Sequence, residues 1–345
     1  MRSPIRTAIV LAVAAALIVA FLRNVDLRHV GGEILRARVR WLVVSFLASI
    51  LSLVIRSLRW RFLLEPLGRA SFANAFRATA VGFAASSILP ARAGEVIRPY
   101  FLARHENMTA TGAFATIILE RVLDVLTVLV LLASSVFVFN RGVGAANPTA
   151  FAAMKWAGAT ALGGSVAALI VMFVLAGDPG RIGRWMNRLE EAVPSTLAGL
   201  IGRVAEKFSR GLGAVRRPGR LLVALLWSFP LWLSIAAGMW AVALAFHIDV
   251  PFTGSFLLVA VLVIGVAVPT PGAIGGFHEA YRLGATMFFG APDNAAVGAA
   301  IIAHLLSVGP ALILGLFFAA QVGLNFAGMR RLAEQAEAEP EAAKP

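Results

Sequence analysis

Residues 87–98 read SILPARAGEVIR, and residues 268–282 read VPTPGAIGGFHEAYR. Each stretch follows an apolar run and interrupts it with proline and glycine before a charged segment begins. Proline disfavours a helix interior because it lacks a backbone N–H, and glycine lets the backbone turn sharply. Each stretch therefore predicts a helix that stops, turns and restarts, which is a broken-helix hairpin.

The two stretches share a spacing of residues. A glycine follows a proline by four positions in both, as Pro90 and Gly94 and again as Pro271 and Gly275. A glutamate and an arginine three positions apart then share one helical face. These pairs are Glu95 with Arg98 and Glu279 with Arg282. The distance from glycine to glutamate differs by three residues, about one helical turn.

The composition is that of a membrane protein. The 345 residues are 59% hydrophobic and 14% charged, and the mean hydropathy is +0.82. A soluble domain carries about 25% charged residues, so an ordinary soluble enzyme is excluded. The chain has no cysteine, which excludes disulfides, cysteine metal sites and thiol catalysis. The net charge of +13 indicates basic loops against anionic lipid on the cytoplasmic side, and we expect no nucleic-acid partner.

The apolar runs predict an all-α polytopic membrane protein with about six full transmembrane helices plus two re-entrant broken-helix hairpins. All of them lie in one transmembrane domain, residues 1–331. The predicted spans are Ile5–Leu22, Trp41–Leu58, Ala113–Phe139, Ala152–Ala176, Leu221–Phe246 and Ala295–Phe326. The hairpins begin with Phe72–Leu89 and Phe256–Val268. Two similar hairpins of opposite sense are typical of inverted-repeat transporters.

Basic residues set the predicted orientation. Residues 177–220 hold nine Lys and Arg in an amphipathic pattern, which predicts helices in the cytoplasmic interface. Both termini are assigned to the cytoplasm, although the arginines of residues 23–40 would then face outside and leave the first two helices ambiguous. The acidic residues 332–345 are predicted to be disordered. The second span ends in a basic cluster of Arg56, Arg59 and Arg61.

The tips of the hairpins are candidate functional elements. The predicted hinge and tip residues are Pro90, Gly94, Pro269, Pro271, Gly272, Gly275 and Gly276. Non-helical backbone at membrane depth is tolerated where it lines a cavity or is buried in protein. The helix that restarts after each tip directs N–H groups into that cavity, which favours an anion. Alternatively, the tips are ordinary connecting turns, and Arg92 and Arg98 extend to the cytoplasmic interface.

Three charged residues lie inside a predicted span, namely Glu120, Arg121 and Asp124. A charge near the centre of a membrane helix costs about 2.5–3.5 kcal/mol on insertion scales, so we expect these residues to be paired. Arg121 and Asp124 can pair within the helix, and Glu120 can reach an arginine of the first hairpin. The candidates are Arg77, Arg92 and Arg98. The group either pins two helices together or forms a cavity wall, and both roles are compatible.

The candidate substrate-binding residues combine both hairpins with this charged span. They are Arg92, Glu95, Arg98, Glu120, Arg121, Asp124, His278, Glu279 and Arg282. Arginine suits a phosphate headgroup, and His278 can titrate near neutral pH. The five histidines show no zinc-binding spacing, the glycine-rich turns match no nucleotide-binding motif, and no serine has a plausible His–Asp partner set. We therefore expect no metal, no cofactor and no enzymatic activity.

Three motifs in order resemble those of the flippase-like membrane protein family related to the transmembrane region of lysylphosphatidylglycerol synthase. They are SILPARAGEVIR at 87–98, LERVLD at 119–124, and PTPGAIGGF at 269–277 followed by Glu279. In layout the resemblance spans residues 5–326. It implies that the charged residues of these motifs act in lipid translocation, and that this chain does not synthesise an aminoacyl lipid.

The residues and the resemblance lead to one hypothesis and two alternatives. The hypothesis is a multi-pass translocator of the bacterial cytoplasmic (inner) membrane that moves a phosphate-bearing or anionic-headgroup lipid, or a polyprenyl-linked lipid, through a central polar cavity. The alternatives are an assembly partner of a cell-envelope glycosyltransferase and a membrane-embedded lipid-modifying transferase. The expected partners are the lipid substrate and the anionic cytoplasmic lipid surface, with an envelope-biosynthesis partner or a homo-oligomer as further alternatives.

Overall fold

The computed structural model describes residues 25–89, 92–137, 148–177, 217–268 and 270–322, with residues 12, 15–19, 21 and 22 before them. Within these ranges every regular element is a helix. The α-helices are α1 (Leu27–Arg36), α2 (Val39–Leu64), α3 (Phe72–Ile88), α4 (Gly94–His105), α5 (Ala110–Phe137), α6 (Pro148–Gly177), α7 (Pro218–Ala245), α8 (Gly254–Ala267), α9 (Gly276–Phe289) and α10 (Asp293–Gln321). A short 3₁₀ helix, Pro271–Ala273, lies between α8 and α9.

Three of these helices are long and apolar enough to cross a membrane. They are Val39–Leu64 of α2, Gly219–Ala245 of α7 and Asp293–Gln321 of α10, with mean hydropathies of 2.0, 1.9 and 2.2. Helices α5 and α6 are comparably long at 28 and 30 residues, but three charges interrupt the apolar run of α5. The prediction of an all-α membrane protein is confirmed, and the number of full spans stays a prediction.

Several predicted features lie outside the described residues. They are most of Ile5–Leu22, the interfacial helices of 177–220 apart from their two ends, the tail 332–345, and the tip residues Pro90 and Pro269. The last predicted span begins at Ala295, two residues after the first residue of α10, and the structure describes it up to Val322.

The first broken helix has the boundaries that its sequence predicts. Helix α3 begins after Ser71, whose side-chain oxygen accepts a hydrogen bond from a first-turn N–H at 3.2 Å. It ends at Ile88, shortly before Pro90, because a proline disfavours helical backbone in the residue that precedes it. Arg92 has a φ of 52°, in the left-handed region that reverses the chain direction. Helix α4 then begins at Gly94.

The second broken helix also turns through left-handed backbone. Helix α8 ends at Ala267, and the 3₁₀ helix that follows contains Gly272 and Ala273 with φ of 60° and 57°. Gly275, with a φ of 87°, directly precedes α9. Glycine adopts positive φ at no steric cost, so two of the predicted tip glycines stand where the turn requires them.

Helices α3 and α4 pack through two glycines, Gly82 and Gly94. A Cβ atom added to Gly82 would lie 2.7 Å from the Cβ of Arg98, and one added to Gly94 would overlap the Gly82 oxygen. Only glycine lets the two backbones approach this closely, as at many helix contacts within membranes.

Helices α8 and α9 repeat this contact with Gly265 and Gly276. A Cβ added to Gly265 would overlap the Cβ of Ala280, and one added to Gly276 would overlap the Gly265 oxygen. Gly265 and Gly276 therefore correspond to the two glycines of the first pair, and Ala280 corresponds to Arg98. The two broken hairpins are built on one backbone plan.

The helices form two units with matching contacts. Helices α2–α5 make the first unit and α7–α10 the second, and each unit has a long helix, two short helices and a long helix in order. Between the units, α3 packs on α10 as α8 packs on α5, and α2 packs on α7. Exchanging one unit for the other leaves this pattern unchanged, as expected for an internal structural repeat.

Two apolar clusters form most of the interior. One cluster, largely in the first unit, includes Trp60, Leu64 and Leu102, and the other, largely in the second, includes Leu257 and Leu258, all with no exposed surface. Alanines and glycines at the helix contacts let the helices approach closely, which favours helix association in lipid.

A carboxylate ties together the ends of α3 and α4 that lie away from the tip. Glu106 follows α4, and its Oε1 accepts hydrogen bonds from the Ser71 N–H, the Ser71 hydroxyl and the Asn74 side-chain amide, each at 2.8 Å. Burial raises the pKa of Glu106, but these hydrogen bonds outweigh that effect and hold the pKa below its ordinary value.

We expect Gly94→Ala and Gly276→Ala to destabilise the protein, because each new methyl group overlaps the backbone oxygen of the facing glycine. Overpacking of this kind costs about 1–3 kcal/mol. Thermal unfolding of the purified protein in detergent measures the loss. Gly163→Ala on α6 is the matched control, since nothing lies within 4 Å of its added Cβ. An equal fall in unfolding temperature for all three variants would contradict the glycine contacts.

The hydrogen bonds to Glu106 predict that the free energy of unfolding depends on pH. A carboxyl group with a lowered folded-state pKa stabilises the fold above its unfolded pKa, and this contribution is lost as the pH falls through the folded pKa. We expect Glu106→Gln to lower the unfolding temperature by the equivalent of about 1 kcal/mol at neutral pH. The difference from wild type should shrink below about pH 4. Thermal unfolding in a pH series measures this difference, and a constant difference would contradict the proposed contact.

Candidate functional site

A cavity of about 520 Å³ lies where the two units meet. Helices α2–α5 line it from one unit and α7–α10 from the other. The tips of both broken hairpins also meet here. The Arg92 guanidinium donates a hydrogen bond to the Val266 oxygen of α8, and Gly272 lies beside the Ser87 backbone. Both broken hairpins therefore end at one cavity.

One wall of the cavity carries a surplus of positive charge. Its charged side chains are four arginines and two carboxylates, Arg56, Arg92, Arg98, Arg121, Glu95 and Asp124. All six come from α2, the first tip, α4 and α5, in the first unit. Arginine keeps its charge in proteins, so the wall has a net charge of about +2. Five serines of the first unit add hydroxyl groups, Ser45, Ser49, Ser52, Ser86 and Ser87, and Ser234 and Ser307 line the cavity from the second unit.

The second unit contributes a mostly apolar wall. Ile235 and Met239 of α7 and Val259, Leu262 and Val263 of α8 face the cavity. The cavity is therefore amphipathic, with charge towards the first unit and apolar surface towards α7 and α8. A ligand with both a charged part and an apolar part matches such a cavity.

A buried ion cluster joins α2, α4 and α5 at this wall. Arg59 Nη1 lies 2.6 Å from Asp124 Oδ1, and Arg98 Nη1 lies 2.7 Å from Glu120 Oε2. Arg59 Nη2 lies 3.5 Å from Glu120 Oε1, so Arg59 bridges both carboxylates. Arg59 and Glu120 have no exposed surface. Burying such charges is costly, and the mutual pairing of these groups offsets that cost.

Aromatic side chains hold this cluster in place. The Arg98 guanidinium lies over the Trp60 ring at 3.9 Å from its centre, where a cation is attracted by the ring face. Trp60 Nε1 donates to Thr116 Oγ1 at 2.9 Å. Trp232 Nε1 of α7 donates to Asp124 Oδ1 at 3.0 Å, so the second unit also contacts the cluster.

The cluster contains more positive than negative charge. Its members are Arg56, Arg59, Arg98 and Arg121 against Glu120 and Asp124, which gives four minus two, or +2. Arg56 and Arg121 lie 3.5 Å from Asp124. The Nε and Nη2 atoms of Arg98 are buried and make no hydrogen bond to a described residue. Buried charge without a partner is costly, so an anion in the cavity would complete the cluster.

Five of the residues predicted from the sequence line the cavity, namely Arg92, Glu95, Arg98, Arg121 and Asp124. A sixth, Glu120, is buried behind this wall and is bound to Arg98. Of the three arginines considered for Glu120, Arg98 is its partner. Arg92 and Glu95 lie 3.6 Å apart, each with 36% of its side chain exposed.

The other three predicted binding residues lie away from the cavity lining. Arg282 donates two hydrogen bonds of 2.6 Å to Asp293, and Glu279 lies 3.8 Å from the same guanidinium. The His278 ring lies beside His304, with 4.5 Å between ring centres. In the described part of the chain, no three His, Asp or Glu side chains are placed to hold a metal ion.

The glycine contacts between the short helices explain why Glu279 and Arg282 lie away from the cavity, whereas Glu95 and Arg98 line it. The sequence comparison matched Gly94 with Gly275, but the helix contacts match it with Gly276. Counted from these glycines, the glutamate and arginine of α9 lie two residues later than those of α4. A shift of two residues turns a side chain by about 200° around a helix. Glu279 and Arg282 therefore face a different neighbour from Glu95 and Arg98.

The described tip residues lie at or next to the cavity. Gly94 and Gly272 line it. Pro271 opens the 3₁₀ helix, and Gly275 and Gly276 precede and begin α9. The described backbone of both tips therefore reaches the cavity.

Two arginines of the site, Arg56 and Arg59, are not among the binding residues predicted from the sequence. Arg56 lines the cavity, and Arg59 is the centre of the ion cluster. The sequence predicts a span that ends at Leu58 with these arginines at its basic end, whereas α2 continues to Leu64. The available signal was two arginines three positions apart in an apolar helix, because charges inside membrane helices usually have a functional partner.

The chain is similar to one membrane family over most of its length. Residues 7–315 match the family described as the lysylphosphatidylglycerol synthase TM region. A stretch of 122 residues is 30% identical to a UPF0104 membrane protein of Methanocaldococcus jannaschii. This stretch covers 34% of the chain and 36% of that relative, so the chain spans about a third of the relative's length. The resemblance inferred from the three motifs is confirmed.

We expect Asp124→Asn to destabilise the protein by about 3–5 kcal/mol, because it leaves the buried Arg59 without its nearest counter-charge. Glu65→Gln is the matched control. Glu65 pairs with Arg220 in a partly exposed ion pair, and such pairs contribute about 0–1 kcal/mol. Unfolding in mixed detergent with increasing dodecyl sulfate measures both losses. Equal small losses would contradict the central role of the buried cluster.

Proposed function

The chain belongs to the lysylphosphatidylglycerol synthase transmembrane-region family, and from this premise we propose that it translocates a lipid with a phosphate-bearing or otherwise anionic headgroup. The headgroup passes through the central cavity, while the acyl or polyprenyl chain stays in the bilayer. We propose the bacterial cytoplasmic membrane as the location of this multi-pass protein.

The surplus of arginine at the cavity wall is the observation that carries this proposal. A cluster that served only to pin helices together would be expected to balance its charges, whereas this one holds two arginines beyond its carboxylates. An anionic headgroup supplies the missing charge through charge-assisted hydrogen bonds. These bonds are strong here because the surrounding protein and lipid are poor in water.

The two matching units supply a route for movement. We propose that both broken hairpins are re-entrant, that the units are inverted relative to each other, and that about six other helices span the bilayer. The contact of Arg92 with Val266 joins the two units at the cavity. Rocking of one unit against the other would break and re-form this contact and expose the cavity to each side in turn.

The charged residues then take different roles. Arg98 and Arg121 bind the headgroup, and the Arg92–Glu95 pair at the first tip acts as a gate. Glu279 braces α9 against α10 through Arg282 and Asp293.

Reconstitution of the purified protein into liposomes tests the proposal. A fluorescent phosphatidylglycerol or, in a parallel assay, a fluorescent phosphatidic acid in the inner leaflet becomes accessible to a membrane-impermeant reductant when the protein translocates it. We expect Arg92→Gln combined with Arg121→Gln to slow translocation at least about tenfold, because one charge-assisted hydrogen bond contributes about 1.5–3 kcal/mol. Both side chains are more than a third exposed, so folding should be spared.

Arg77→Gln is the matched control for this experiment. Arg77 lies over the Phe318 ring at 5.8 Å and does not line the cavity, so its removal should leave translocation at the wild-type rate. Full translocation by the double variant would contradict the site assignment. Wild-type vesicles that translocate no anionic lipid would contradict the proposed function.

A further inference from the structure

We infer that the transported headgroup is a dianion, a phosphate monoester or pyrophosphate on a lipid, bound between Arg56, Arg98 and Arg121. This inference rests on the proposed function, since it names the substrate class of the same cavity. It separates lipids that end in a phosphate from phosphodiester lipids such as phosphatidylglycerol, whose headgroup carries one negative charge.

The charge balance at the cavity wall favours two negative charges on the ligand. The ion cluster has a net charge of four minus two, or +2, and the tip pair Arg92–Glu95 adds none. The described lining of α3 and of α7–α10 carries no titratable side chain. A dianion therefore neutralises this wall, whereas a monoanion leaves one arginine charge uncompensated.

Arg98 offers two hydrogen-bond donors in a fixed direction. Its Nη1 is held by Glu120 at 2.7 Å, and its plane lies against Trp60. The residue is only 4% exposed, and its Nε and Nη2 make no hydrogen bond to a described residue. These two nitrogens form one side of the guanidinium fork, which matches two oxygens of a phosphate. Arg98 lines the cavity, and these two nitrogens lie buried behind its surface, so a phosphate would reach them after a small movement of the side chain.

The neighbouring apolar wall indicates that the ligand is a lipid rather than free phosphate. Helix α8 presents Val259, Leu262, Val263 and Val266 to the cavity, and α7 presents Ile235. These side chains gain nothing from a hydrated inorganic ion, but they match the first methylene groups of a lipid chain.

Titration of the full-length chain in detergent with three probes tests the inference. The probes are dioctanoyl phosphatidic acid, dioctanoyl phosphatidylglycerol and inorganic phosphate. Trp60 and Trp232 contact the cluster, so intrinsic tryptophan fluorescence reports binding, with thermal unfolding as a second readout. At mildly alkaline pH we expect phosphatidic acid to bind about tenfold more tightly than phosphatidylglycerol, and inorganic phosphate to bind most weakly.

The same titration in mild acid adds a second criterion. A phosphate monoester loses its second proton with a pKa of about 6, so it carries one charge below that pH. The advantage of phosphatidic acid should therefore shrink in mild acid, while the affinity for phosphatidylglycerol stays constant. The lining groups that face the ligand are the arginines, Glu95 and Asp124.

Arg121→Gln lowers the net charge of the wall by one and spares folding, because 40% of the Arg121 side chain is exposed. We expect this variant to bring the two lipids to nearly equal affinity. Arg77→Gln, which removes an arginine outside the cavity, should keep the wild-type preference.

The possible outcomes distinguish a failure of the dianionic-headgroup inference from a failure of the proposed translocation function. Equal affinity of the wild type for both lipids overturns this inference and leaves the lipid site of the proposed function standing. Binding of neither lipid overturns the proposed function as well. Inorganic phosphate that binds as tightly as phosphatidic acid overturns the assignment to a lipid.

Discussion

Arg59 lies inside an apolar helix bundle with no exposed surface, and two carboxylates of α5 hold it there. Its contacts with Asp124 at 2.6 Å and Glu120 at 3.5 Å join α2 to α5. Because Glu120 also binds Arg98, the same group of charges fixes α4. Helix α2 packs on α7 in turn, so the meeting point of the two units depends on this buried pairing. The electrostatic cost of burying these charges disfavours any packing that separates Arg59 from Glu120 and Asp124.

The structural repeat gives both units one backbone plan, but not one chemistry. The two broken hairpins have equivalent glycine contacts between their short helices. At the position equivalent to Arg98 of the first unit, however, the second unit has Ala280. The charged lining of the cavity therefore comes from the first unit, and the second unit adds a mostly apolar wall. One cavity with a charged and an apolar side results from this division, and neither unit provides both sides alone. For an amphiphilic substrate this asymmetry separates the place of the headgroup from the place of the chain.

Local patterns predicted the helices well where backbone chemistry decides them. The first broken helix is predicted over Phe72–Leu89 and is Phe72–Ile88, because Pro90 disfavours helical backbone in the residue that precedes it. The sequence leaves three arginines of the first hairpin as possible partners of Glu120, namely Arg77, Arg92 and Arg98. Helical periodicity cannot choose among them, because the choice depends on how α4 packs against α5, which is a tertiary contact. The role of Arg59 was missed because its partners are 61 and 65 residues away in the chain, as the positions of Glu120 and Asp124 show.

By itself the sequence determined the membrane class, the helical architecture, the two helix breaks and the family, because composition, proline and glycine chemistry, and short motifs are local properties. Only the tertiary structure decided which glycine of the second tip matches Gly94. That match is with Gly276, and it places Arg282 against Asp293 and Glu279 beside Arg282 instead of in the cavity. The physical reason is that two residues correspond to about 200° of rotation on a helix, so a small change of register selects the neighbour of a side chain. Register is set by the packing of two backbones against each other, and a single segment of sequence does not contain that information.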